Sequence, residues 1–191
     1  SVEAGAPSLA GNQLQMMGLM AVLSLVPFAV VMLTSFSKFS VVLSMVRSAL
    51  GTQQAPPTME LTGLAAVLTA HVMSPTFEQM WLRAKPHVSE SLSSRQSLDA
   101  LGASLEPLQA FLEKHGSADE RARFVDLARE LRPVEAADTV TEKDLTVVVP
   151  AFVITELKEA FVIGFLIFLP FLVLDMLIAN VLLALGMQSL S

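Results

Sequence analysis

Apolar residues gather at the two ends of this 191-residue chain, and polar ones fill its middle. Of the 30 charged residues, 21 fall between Arg83 and Asp144. In the first block, residues 14–33 are interrupted only by Gln15, Gly18, Ser24 and Pro27. Twenty residues rising 1.5 Å each cover about 30 Å, the hydrocarbon thickness of a bilayer. The helical pattern continues without a break through "TSFSKFSVVLSMVRSALG" (34–51), which sets Lys38 and Arg47 among apolar neighbours. Gly51 suits the residue just past a helix end, and Pro56-Pro57 stops the helix and restarts the chain. A second helix follows in "TMELTGLAAVLTAHVMSP" (58–75), with Glu60 in the first turn where the dipole favours an acid. Residues 1–82 therefore read as an extended antiparallel helical hairpin.

The middle block, 83–146, reads as a small soluble helical insertion. Leu98, Leu101, Leu105, Leu108 and Leu112 step by three and four and form one apolar stripe. Gly116 ends that helix. Ser117 and Glu120 have the spacing of a capping box, in which each side chain satisfies an amide of the other. Phe124, Leu127, Ala128 and Leu131 form the next apolar face, stopped before Pro133. "HVSESLSSRQS" and "RPVEAADTVTEKD" are the linkers.

The last block, 147–191, restarts at Pro150 as a first helical residue and runs through Glu156, Lys158 and Glu159 into a long apolar stretch. Pro170 lacks an amide donor and crowds the carbonyl of Leu166, so a kink is predicted there. Gly186 closes the helix. Asp175 and Asn180 are too polar for plain lipid, and Asn180 lies about 140° further round the helix. Asp175 has three readings: a carboxylate reaching an interface or water pocket, a contact between subunits, or a proton relay. Lys38 and Arg47 either snorkel to the cytoplasmic interface or pair with Asp175.

Composition narrows the chemistry. The chain is 53% hydrophobic and 16% charged with mean hydropathy +0.60, against about 25% charged in soluble domains. The excess apolar surface calls for lipid or protein cover. A net charge of −6 makes nucleic acid an unsuitable partner. Without cysteine there is no thiol chemistry and no disulfide. His71, His87 and His115 have no partner at metal-ligand spacing, and neither a nucleophile elbow nor a phosphate loop is present. No cofactor and no enzymatic activity are expected. The chain opens at Ser1 without an initiator Met, which predicts a processed or trimmed start.

Two stretches carry a resemblance. "MLTSFSKFSVVLSMVRSALGTQQAPP" (32–57) resembles the first hairpin of the type III secretion export-gate family, called SctR in injectisomes and FliP in flagella. "VPAFVITELKEAFVIGFLIFLPFLVLDMLIANVLLALGM" (149–187) is similar to that family's second signature. With "MSP" at 73–75 the resemblance covers residues 14–82 and 147–191. Block 83–146 sits where the family has a variable periplasmic insertion. Gln53-Gln54 leans towards the injectisome branch.

The resemblance implies an all-α inner-membrane subunit, five copies of which join two smaller membrane partners (SctS/FliQ-like and SctT/FliR-like). Together they enclose a pore for unfolded secretion substrates. It implies inter-subunit polar contacts at Asp175, Asn180, Glu156, Lys158, Lys38 and Arg47, and a gate at Met187 and Gln188. Flexible, polarizable methionine suits a seal that must close on variable peptide. The family continues with a methionine-rich loop, prolines and a further apolar helix, whereas this chain stops at Ser191. A rival reading is an autonomous transporter or ion-channel subunit with Asp175 as an intramembrane ion site. That fold would call for inverted repeats, which are not detectable in the sequence. An intramembrane enzyme would need a paired nucleophile and base, and none is found.

Overall fold

The computed structural model describes residues 9–51, 56–88, 94–133 and 138–186. The fold is all-α, as the sequence predicts, and the described residues contain no strand. Among the described residues six helices follow in order: α1 (Leu9–Leu33), α2 (Phe36–Ala49), α3 (Thr58–Val88), α4 (Ser94–His115), α5 (Ala118–Glu130) and α6 (Leu145–Ala184). Two stretches, Met16–Leu33 of α1 and Leu145–Ala184 that forms α6, are long and apolar enough to cross a membrane.

The first helix is not continuous as predicted. Helical pairing breaks at Thr34 and Ser35, both buried, where the hydroxyls of Thr34 and Ser37 compete for the backbone. Thr34 Oγ1 donates to the Val30 carbonyl, and the Phe36 N–H donates to that same hydroxyl at 3.4 Å. Ser37 Oγ donates to the Val31 carbonyl at 2.9 Å. Such local bonds give the chain an alternative to the helical ladder. At the far end of α2, Gly51 adopts φ +67° and its amide bonds the Ser48 carbonyl, as a residue past a helix end should. Arg47 then donates to Thr58 Oγ1 at 2.9 Å, tying the end of α2 to the start of α3 across the turn. Pro56 and Pro57 stand immediately before α3.

Two further boundaries differ from expectation. α3 does not end at Pro75 but runs through it and Pro86 to Val88. α6 begins at Leu145, five residues before Pro150, because Asp144 organises an earlier start. The Thr141 N–H and hydroxyl both donate to the Asp144 carboxylate, and the Asp144 carbonyl accepts from the amides of Val147 and Val148. α6 then runs unbroken through Pro170 to Leu185, where Gly186 takes φ +76° and closes it.

The core lies where the polar block meets the two apolar ones. Met73 of α3, Phe111 and Leu112 of α4, and Val148 and Phe152 of α6 form one buried cluster. Phe111 meets Phe152 edge-on with ring centroids 5.8 Å apart, and His115 stacks on Phe111 at 4.5 Å. Val125 of α5, Val140 and Val147 form a second cluster flanked by Phe124 and Ala128. Of the α4 stripe, Leu112 is buried and Leu108 packs on the first cluster, while Leu105 is exposed. On α5 the buried face is centred on Glu120 and Val125; Leu127 is on its flank and Leu131 beyond the helix end, both exposed. The insertion thus shares its core with α3 and α6.

Candidate functional site

α6 carries small buried residues on two sides. Ala151 and Thr155 are buried four residues apart, as are Ala160 and Gly164 about 140° further round the helix, and such residues let neighbouring backbones approach closely. A Cβ built on Gly164 would lie 2.2 Å from Met45 Sδ of α2. The end of α4 packs less tightly: a Cβ on Gly116 would lie 3.5 Å from Phe152 Cα, an ordinary contact distance.

Charged groups join α6 to its neighbours on two sides. Lys38 of α2 bonds Glu156 Oε1 and Glu159 Oε2, each at 2.7 Å. Glu156 is 1% exposed, and its second oxygen, Oε2, is buried without a hydrogen-bond partner among the described residues. Its charge therefore rests on one lysine. Burial pulls the Lys38 pKa down, but the bonds to Glu156 and Glu159 and their negative charges more than reverse this. The ammonium ends above its ordinary value of 10.5.

On the other side, Lys158 donates to Glu120 Oε1 of α5, which also accepts from Arg123 at 3.3 Å. The capping box predicted for Ser117 and Glu120 does not form. Ser117 holds the N-cap position, yet its side chain makes no capping bond and its amide donates to Thr155 Oγ1 of α6 at 2.9 Å. Thr155 Oγ1 in turn donates to the Ala151 carbonyl at 2.7 Å. A tertiary acceptor has replaced the local one, which releases Glu120 to meet Lys158. Arg121 closes the corner by donating to the carbonyls of Glu113 and Gly116, each at 2.7 Å.

The hydrogen bond from Lys158 holds the Glu120 carboxyl below its ordinary 4.5; burial opposes this, and the charges of Lys158 and Arg123 add to the lowering. A depressed carboxylate adds stability that is present above the unfolded value and is lost as pH falls through the folded one. Acidifying the detergent-extracted protein from about pH 6 to about pH 3 should therefore loosen α5 from α6. The protection of amides 117–130, taken relative to the intrinsic exchange rate at each pH, should fall over that window, and Glu120→Gln should show low protection at both ends of it.

The sequence-predicted polar residues fall into two groups. Lys38, Glu156, Lys158 and Arg47 have partners inside the chain. Lys38 meets Glu156 and Glu159 and not Asp175. Asp175 and Asn180 are exposed on α6 and have no partner among the described residues. Met187 and Gln188 lie outside the described residues. Glu120, Thr155 and Gly164 were missed as a group. Their signal was the small-residue spacing from Ala151 to Gly164, overshadowed by the hydropathy of the whole stretch.

Lys38 lies beside Glu156 and Glu159, and Met45 beside Gly164, so α2 and α6 run the same way. A model of the FliP family matches residues 19–191. The chain belongs to the FliP family. It is 41% identical over 183 residues to the Yop proteins translocation protein R of Yersinia pestis, covering 94% of this chain and 83% of that protein. It is 44% identical over 177 residues to the flagellar biosynthetic protein FliP of Caulobacter vibrioides, covering 92% and 64%. It is 39% identical over 187 residues to the virulence protein YscR of Salmonella typhimurium, covering 96% and 85%. Secretion and flagellar relatives stand at comparable identity, so identity does not separate the two branches of this FliP family. Family membership and the two apolar helices mark an inner-membrane protein.

Proposed function

We propose that this chain is a core subunit of a type III secretion export gate, forming the wall and constriction of a pore for unfolded protein. Its relatives make it a component of a secretion or flagellar export apparatus. The observation that carries the finer reading is the bare outer part of α6. From Phe165 to Leu185 no residue is buried, although the stretch holds Asp175 and Asn180. Groups this polar on an apolar helix are acceptable where neighbouring proteins supply partners.

Copies of this chain, five by family resemblance, surround the path together with two smaller membrane subunits. Asp175 and Asn180 are the residues free to bridge copies; Lys38, Glu156, Lys158 and Arg47 set the shape of each copy. The parallel course of α2 and α6 points Gly51 and Gly186 the same way, and on this reading that end is the cytoplasmic one. Insertion 83–146 then stands in the periplasm. Met187 and Gln188, directly after Gly186, form the constriction, and the injectisome branch is favoured by Gln53-Gln54.

Co-expression of the full-length protein with its two candidate partners, followed by native mass measurement in detergent, tests this reading. A particle holding several copies with both partners is expected; a stable monomer or a lone homodimer would sink it. In the assembled particle Met187→Ala should leak small ions, and unchanged conductance would remove Met187 as the seal. The transporter reading differs in that ion flux would persist without partners and vanish in Asp175→Asn.

A further inference from the structure

α6 is gripped at its base and bare beyond it. Its last buried residue is Gly164, whereas the helix continues to Ala184 and closes at Gly186. The free part, about 22 residues, projects roughly 33 Å. A tilt of about 10° at the base would move the far end by about 6 Å. Whatever fixes the base therefore fixes the tip.

Two sets of contacts hold that base from different sides. From α2 come Lys38 with its two glutamates and the side chain of Met45 against Gly164. From the insertion come the Glu120–Lys158 ion pair, the bond from the Ser117 amide to Thr155, and the apolar cover of Phe152 by Phe111 and Leu112. The α2 contacts spread over more than two turns and resist bending towards that side. The insertion contacts meet Thr155 and Lys158, within one turn, and oppose both rotation and sliding there. Neither polar contact is explained by α5 alone, since Ser117 and Glu120 give up a local cap to make them.

We propose that the α4–α5 insertion is a register clamp for α6: Glu120 and the Ser117 amide, acting on Lys158 and Thr155, set the axial and rotational position of the long helix. The clamp is a property of the single chain and holds whether or not the export reading does. Its consequence under that reading is that a periplasmic element sets where the cytoplasm-facing tip stands. Glu120 and Thr155 are positioning residues in this scheme.

The test reads the far end of α6 from a point the insertion does not touch. The sequence has no cysteine, so labels can be placed cleanly at Met59→Cys and Leu183→Cys, both exposed in the parent chain. Electron–electron double resonance on the full chain in detergent, diluted with unlabelled protein, gives the distance distribution between them. A single narrow distance is expected for the parent. Glu120→Gln and Thr155→Val should each broaden or shift it by about 6 Å, and the exchanged pair Glu120→Lys/Lys158→Glu should restore it. Thr155→Val keeps the buried shape and so covers the case in which Glu120→Gln fails to fold. An unchanged distribution in Thr155→Val overturns the clamp, as does an exchanged pair that stays broad. Native mass of the particle is read separately, so loss of the clamp and loss of the export reading give different results.

Discussion

Lys38→Met should be the most damaging single substitution in the described part of the chain. Among the described residues Lys38 is the one cation bonded to Glu156, whose side chain is 1% exposed and whose second oxygen has no partner there. Methionine keeps the length and apolar stem of lysine but removes the charge. A carboxylate then remains buried in contact with nothing that favours ionisation. Removing one partner of a buried ion pair costs about 3–5 kcal/mol, mostly through the charge left behind. The exposed position of Glu159 gives that carboxylate solvent instead, so it adds little to the loss.

The double variant Lys38→Met/Glu156→Gln separates the two contributions. It removes the buried charge with its partner, and most of the lost stability should return, because replacing both members of a buried pair is far milder than orphaning one. Thermal melting of the detergent-extracted protein measures all three. Equal melting of Lys38→Met and the parent would show that Glu156 is not held as the structure has it. A double variant no better than Lys38→Met would show that packing, and not charge, makes the site.

What the sequence made legible followed from backbone rules and from strong periodicity. Gly51 and Gly186 were placed at helix ends by their capacity for positive φ, and both adopt it. The apolar lengths predicted two spans, and α1 and α6 have them. The misses have two causes: local side-chain bonds that redirect the backbone at Thr34, Ser37 and Asp144, and a tertiary partner at Thr155. Asp144 began α6 ahead of Pro150, and Thr155 took the amide that Glu120 was expected to cap. Thr34 and Ser37 broke a pattern that hydropathy alone shows as continuous. Among the site residues, charge type was readable and pairing was not: Lys38, 118 residues from Glu156, meets it only because α2 lies along α6. Local propensity is a weak prior wherever packing has a stronger demand.

Gly164→Ala tests that packing directly, and its sign is not obvious beforehand. Alanine is the better helix former by about 1 kcal/mol, so an unconstrained glycine in α6 would be improved by the change. At Gly164 the added methyl meets Met45 at three atoms: Sδ at 2.2 Å, Cβ at 3.0 Å and Cγ at 3.1 Å. Moving the thioether end would relieve only the first. The clash at Cβ is fixed to the α2 backbone, so the helices themselves must separate. Overpacking of this kind costs about 1–3 kcal/mol, which outweighs the propensity gain. Gly63→Ala, where nothing lies within 4 Å of the new methyl, isolates that gain and should be neutral or slightly stabilising. Gly164→Ala should instead melt earlier, and Met45→Ala in the same chain should recover much of the loss by clearing Sδ and Cγ. Recovery without any effect of Met45→Ala alone on the Lys38 pair would place the fault at the crossing of α2 and α6. If Gly164→Ala melts with or above the parent, the helices approach less closely at Gly164 than the structure requires.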